Sequence, residues 1–138
     1  MNLILDASMA LAWIFERSNP EEKKKADKLL LSLQEYEVVV PTLWHTEIAN
    51  ALLVGERRKI LTEAQVIDYI NRLSKLPIMT DSASPISRRE PLMALARRHS
   101  LTAYDATYLD LALRLGATLA TFDKALAKSV MEAGAELF

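Results

Sequence analysis

Four acidic residues fall where carboxylate chemistry can be assembled. Asp6 closes the apolar run Leu3-Ile4-Leu5, and Asp123 comes two residues after Thr118-Leu119-Ala120-Thr121. Glu47 lies early in the helix-forming stretch that follows Val38-Val39-Val40. Asp105 lies in the first turn of a stretch opened by Thr102. Asn50, Ala51 and Val54 follow Glu47 at i+3, i+4 and i+7, as Tyr108, Leu109 and Ala112 follow Asp105, so each acid stands in line with one helix face. An acid in a packing stripe needs a partner, because a lone buried carboxylate is costly. A divalent cation suits that role, and Mg²⁺ and Mn²⁺ favour carboxylate oxygens and retained waters. Such an ion lowers the pKa of a bound water and stabilises phosphoryl-transfer charge.

Each acid also has a simpler reading alone. Asp6 and Asp123 can cap the helices that follow them. Asp105 completes a capping box with Thr102. Glu47 reads as a half-buried helical acid. These readings explain the residues singly, but not four acids at matching ends of successive strand–helix units.

The elements that must position them follow from propensity and punctuation. Leu3–Leu5, Val38–Val40 and Thr118–Thr121 read as buried strands, with Pro77–Thr80 and Ala135–Leu137 as shorter candidates. Ala7–Phe15 reads as a helix. Asn19-Pro20-Glu21-Glu22 opens a second, running to about Gln34, with its cap, first-turn Pro and acids in order. Thr42 reads as the N-cap of a helix to about Glu56, and Thr62-x-x-Gln65 is a capping box opening another to about Lys75. A helix ending near His99 has its regular part from about Pro91, after a loop over Asp81–Pro85. Thr102 opens a helix ended by Gly116, which suits a C′ position. Asp123–Glu132 is the last helix. Short apolar strands alternating with helices predict α/β architecture: a three-layer α/β/α sandwich around a parallel sheet of four to five strands. In such sheets ligands sit beyond the carboxyl ends of the strands, where Asp6 and Asp123 fall.

A chain of 138 residues suits a single domain over 1–138. It has 51% hydrophobic and 25% charged residues, which excludes disorder. With no cysteine, it has no disulfide, thiolate zinc site or cysteine nucleophile, and a cytoplasmic location is expected. The N-terminus lacks the basic region and long apolar run of a signal peptide, and no apolar run approaches the ~20 residues of a membrane span. The net charge of −1 excludes a wholesale basic footprint for nucleic acid, so any such binding uses a local patch. Three glycines provide no phosphate-cradling loop. His45 and Glu47 point to different helix faces, which disfavours zinc, and no serine sits in a nucleophile elbow. Ser8 occupies the place where a haloacid-dehalogenase phosphatase needs a second Asp. Pro41 stands where a phosphorylated receiver needs an aspartate.

Together these segments resemble a PIN domain of the VapC toxin type. The resemblance lies in Leu5-Asp6-Ala7-Ser8, in Pro41 through Glu47 to Asn50-Ala51-Leu52, in Leu101-Thr102-Ala103-Tyr104-Asp105-Ala106-x-Tyr108-Leu109-x-Leu111-Ala112, and in Leu119-Ala120-Thr121-Phe122-Asp123-x-x-Leu126. The third segment is the distinctive one. The resemblance implies an endoribonuclease dependent on Mg²⁺ or Mn²⁺, with Asp6, Glu47 and Asp105 as metal-binding acids and Asp123 supporting them. It also implies that Ser8, Asn50 and Thr121 are supporting polar residues. An RNA substrate, a cognate antitoxin protein and a homodimer follow from it as expected partners. The alternative is a catalytically inactive PIN-like protein-interaction module, which leaves the full acid set unexplained. Ser100 departs from the pattern, standing where a helix-ending Gly is expected.

Outside those motifs, Arg57-Arg58-Lys59, Arg88-Arg89 and Arg97-Arg98 are basic clusters. They read as solvated helix ends or as RNA-phosphate contacts. His99 reads as solvated. Trp13, Phe15, Trp44 and the Leu29-Leu30-Leu31-x-Leu33 run read as core, or as a groove for an antitoxin or a second copy.

Overall fold

A computed structural model describes all 138 residues, Met1–Phe138. Its strands are β1 (Asn2–Leu5), β2 (Glu37–Val40), β3 (Ile78–Thr80), β4 (Thr118–Ala120) and β5 (Glu136–Leu137). All pair in parallel, in the order β3-β2-β1-β4-β5. The residues of β1 and β2 that face the core are Leu, Ile and Val, buried on both sheet faces as central parallel strands require. The chain winds outward from β1 in both directions, so the topological switch point is the crevice between β1 and β4.

Seven helices cover the sheet: α1 (Ala7–Leu11), α2 (Pro20–Ser32), α3 (Thr42–Arg57), α4 (Glu63–Leu73), α5 (Pro85–His99), α6 (Ala103–Leu115) and α7 (Lys124–Glu132). The expected α/β/α sandwich forms, and its parallel sheet has five strands, the upper of the four to five expected. The Thr62–Gln65 capping box forms in both directions, and Gly116 takes the left-handed C-cap at φ 58°. Asn19 accepts from the Glu21 N–H at 3.0 Å, with Pro20 in the first turn of α2.

Four local expectations need correction. Thr42 does not cap α3 but is its first helical residue, after Pro41 at the N-cap, and no side-chain cap bond forms. Helix α1 stops at Leu11, and the chain continues to Phe15 as turns. Helix α5 starts at Pro85 and runs through Pro91. No residue of α5 is buried, so the carbonyl left without a partner by the proline ring can be met by water. His99 is not solvated: its side chain is 6% exposed and Nδ1 lies 3.2 Å from Glu132 Oε2. The leucine run also divides. Leu29 and Leu33 are core and Leu31 stands in solvent. Trp44 is core, and Trp13 packs against the core while its Nε1 donates to the Ala26 carbonyl at 2.8 Å.

Candidate active site

Asp6, Glu47, Asp105 and Asp123 line one open cleft of about 330 Å³, together with Ser8 and Asn50. Asp6 leaves the carboxyl end of β1 and Asp123 follows β4, so these two straddle the switch point. Glu47 reaches the cleft from the second turn of α3 and Asp105 from the first turn of α6. In α6 the residues in line with Asp105, namely Tyr108, Leu109 and Ala112, are buried as the spacing predicts. In α3, by contrast, Asn50 is exposed, Ala51 and Val54 are half-buried, and the core face is Trp44, Ile48, Leu52 and Gly55.

Asp6 is the most constrained of the set. Its residue is 6% exposed, and it makes no side-chain cap to α1, so the capping reading fails for it. Instead Oδ2 accepts the Ser8 hydroxyl and the Thr121 hydroxyl, each at 2.6 Å. Those hydroxyls are themselves fixed by the loop after β4. Ser8 Oγ accepts from the Phe122 N–H, and Thr121 Oγ1 from the Asp123 N–H, both at 2.9 Å. Both donors take the same oxygen, and no side chain bonds Oδ1.

Glu47 Oε1 accepts the buried Tyr108 hydroxyl. Burial pushes the Tyr108 phenol far above its usual range, so it stays a donor. Asp123 Oδ1 caps α7 by accepting from the Leu126 N–H at 2.9 Å, so for this residue capping and cleft position coexist through different oxygens. Thr102 caps α6 by accepting from the Asp105 N–H at 3.1 Å, while the return bond that would complete a capping box does not form. The Asp105 carboxylate faces the charges of Asp123 and Asp6, with the Thr102 hydroxyl offsetting part of their effect. Asn50 lines the cleft from the turn after Glu47.

The electrostatics follow from this crowding. Burial raises the Asp6 carboxyl; the Ser8 and Thr121 hydroxyls offset part of the rise and the Asp123 charge adds to it. Burial raises Glu47, Tyr108 counters, and the charges of Asp6 and Asp105 push it further. Burial and then the charges of Asp123 and Asp6 raise Asp105. No lysine or arginine lines the cleft to relieve the repulsion.

The donor set fits a hard divalent cation: oxygen ligands only, mutually repelling, with Asp6 Oδ1 free of side-chain bonds. No three of these acids already stand close enough to close on a common ion. That spacing suits an ion that keeps several waters, as Mg²⁺ does, rather than an all-protein cage.

Two features go beyond what the sequence suggests. By spacing alone Tyr108 reads only as a packing residue, although its i+3 relation to Asp105 puts it on the cleft face. Arg88 is not a solvated cation. It bonds the buried Asp110 through Nε at 3.0 Å and through Nη2, and Arg114 bonds Asp110 at 3.1 Å and Asp81 at 2.7 Å. The i,i+4 spacing of Asp110 and Arg114 in an apolar helix is the available signal.

Comparison with known proteins agrees with the fold. The PIN domain family model matches residues 3–129. The chain belongs to the PIN domain family, and its likeness to a curated relative places it among the VapC-type members. That relative is ribonuclease VapC3 of Pyrobaculum aerophilum, 32% identical over 93% of this chain and 94% of its own length. Among solved structures, PAE2754 from Pyrobaculum aerophilum superposes with a TM-score of 0.69 at 24% identity, covering 99% of this chain and 83% of its own. FitAcB from Neisseria gonorrhoeae superposes at 0.64 with 16% identity, covering 99% and 96%. At those identities the two structures speak for the fold.

Proposed function

We propose that this chain is an endoribonuclease dependent on Mg²⁺ or Mn²⁺, and the toxin of a VapBC-type toxin–antitoxin pair. The observation that carries the reading is the convergence of Asp6, Glu47, Asp105 and Asp123 on one cleft that holds no basic side chain. The name of the relative, ribonuclease VapC3, supports the substrate class, and the pairing with an antitoxin rests on the resemblance to VapC-type toxins.

In this reading Asp6, Glu47 and Asp105 hold the metal partly through its retained waters, since no three of them close directly on a common ion, and Asp123 supports it through the oxygen not used as a cap. A bound divalent cation supplies an activated water and stabilises the charge of the phosphoryl transition state. The residues of the chain orient and discriminate. Ser8 and Thr121 lock Oδ2 of Asp6, which presents the other oxygen in a fixed direction. Tyr108 does the same for Glu47. Asn50 is placed to orient the substrate. Without a cation the four carboxylates repel the phosphates of RNA, so metal dependence follows from the charge of the cleft as well as from the chemistry.

We further assign it to the cytoplasm and to a homodimer; no helix is long and apolar enough to cross a membrane. The reading as an inactive interaction module has nothing specific in its favour, because it leaves the hydroxyl lock on Asp6 without a task. The test is cleavage of a mixed pool of structured and single-stranded RNAs by purified protein, with Mg²⁺, with Mn²⁺ and with chelator. Metal-dependent cleavage is expected; folded, antitoxin-free protein that cuts nothing under either metal would overturn the assignment.

A further inference from the structure

A second pocket, of about 350 Å³, opens beside the acidic cleft, and helix α6 forms a wall of both. Asp105 faces the cleft, while Tyr104 and Thr107 line this pocket. The pocket sits at the same end of the sheet, between the start of α3, the end of β3 and helix α5.

Its construction differs from that of the cleft. Tyr104 is 64% exposed, a large aromatic ring left in solvent one residue from a cleft acid. Leu43 and Pro85 supply apolar wall. Beneath lies a fixed polar floor. Arg88 and Arg114 each spend Nε and Nη2 on Asp110 or Asp81, which leaves Nη1 of both guanidinium groups unbonded and rigidly held. Arg89, exposed at the same pocket, joins none of these pairs.

An exposed aromatic ring, an apolar wall and held donors, with a free cation beside them, match a nucleobase and its phosphate. The ring offers a stacking face of the kind single-stranded nucleic acid uses, and the donors suit the carbonyl-bearing edge of a base. We propose that this pocket seats the unpaired base of a nucleotide next to the scissile bond, stacked on Tyr104. The inference rests on the ribonuclease reading and adds to it that the substrate is presented single-stranded at that nucleotide, since a base held in a duplex cannot enter.

The test is equilibrium binding of labelled single-stranded RNA, by fluorescence anisotropy in Mg²⁺, to the chain carrying Asp6→Asn. The same strand is also prepared with one base removed at each position in turn. Tyr104→Ala is expected to weaken binding of the intact strand by roughly 5- to 150-fold, the range for loss of one stacked base. Tyr104→Phe, which keeps the ring, should restore it. Removing the base at one position should weaken binding to the protein that keeps Tyr104 and leave the Tyr104→Ala variant indifferent. Equal binding of the intact strand with Tyr104 present and with Tyr104→Ala, or equal sensitivity to every missing base, would overturn the subsite. Incubating the same strands with the wild-type chain separates the two claims. Tyr104-dependent binding without cleavage sinks the nuclease and leaves the subsite; cleavage without Tyr104-dependent binding does the reverse.

Discussion

The Thr121 hydroxyl donates to Asp6 Oδ2 at 2.6 Å, joining two residues 115 positions apart in sequence. This bond crosses the switch point between β1 and β4 and ties the direction of one carboxylate to the loop after the other strand. Ser8 duplicates it from the Asp6 side. Two donors on one oxygen mean that the carboxylate cannot turn to relieve repulsion from Asp123.

Loosening that lock should weaken the metal site more than the fold. Thr121→Val and Ser8→Ala each remove one donor to Asp6 Oδ2. Each is expected to reduce metal affinity or cleavage by about 10- to 100-fold, the usual effect of losing a partner that orients a ligand. Isothermal titration with Mn²⁺ checks this, and wild-type affinity in both variants would mean that Asp6 needs no such holding.

Repulsion in the cleft predicts an unusual pH dependence. Burial first, and then neighbouring charge, raises the carboxyls of Asp6, Glu47 and Asp105. A carboxyl whose folded pKa exceeds its unfolded value favours folding most below the unfolded pKa, and that contribution is lost as pH rises through the folded pKa. Metal-free protein should therefore lose stability from these groups on going from about pH 4 towards neutrality. Asp6→Asn removes one of them, so its melting temperature relative to wild type should rise on going from about pH 4 towards neutrality. A difference independent of pH, read by circular dichroism without metal, would contradict the account.

Metal should reverse that cost. At 100-fold over its dissociation constant a ligand of the folded state adds about 2.7 kcal/mol, so Mg²⁺ at such excess is expected to raise the melting temperature by several degrees at neutral pH. The increase should shrink in Asp105→Asn. Equal stabilisation of wild type and variant would place the ion elsewhere.

Ser100 holds a left-handed backbone at φ 55°, ψ 46° as the C-cap of α5. A side chain in that region costs about 1 kcal/mol, and glycine removes the strain while gaining some freedom in the unfolded chain. Ser100→Gly is expected to stabilise the protein by up to about 1 kcal/mol without touching the cleft. Denaturant unfolding measures it, and a destabilised variant would show that the hydroxyl or Cβ contributes more than the strain costs.

What can be read in sequence is what local chemistry determines. The strand ends at Asp6 and Thr121, the caps at Asn19, Thr62 and Gly116, and the grouping of the four acids all follow from short-range pattern. The Arg88–Asp110–Arg114–Asp81 network does not, because its partners lie on α5, α6 and the end of β3 and only the fold brings them together. The helix boundary at Pro85 is hidden because Pro91 signals a break that an exposed helix can tolerate. For His99, the surrounding arginines suggest solvent, while Glu132, 33 residues away, supplies the contact.

The central claim is tested most directly by comparing wild type with Asp6→Asn on the mixed RNA pool in Mg²⁺ and in chelator, with circular dichroism confirming both fold. The account predicts cleavage by the wild type in Mg²⁺ alone and a loss of at least about 100-fold in the variant, as for removal of a ligand that the transition state requires. Cleavage of equal rate by both proteins, or cleavage that persists in chelator, would contradict it.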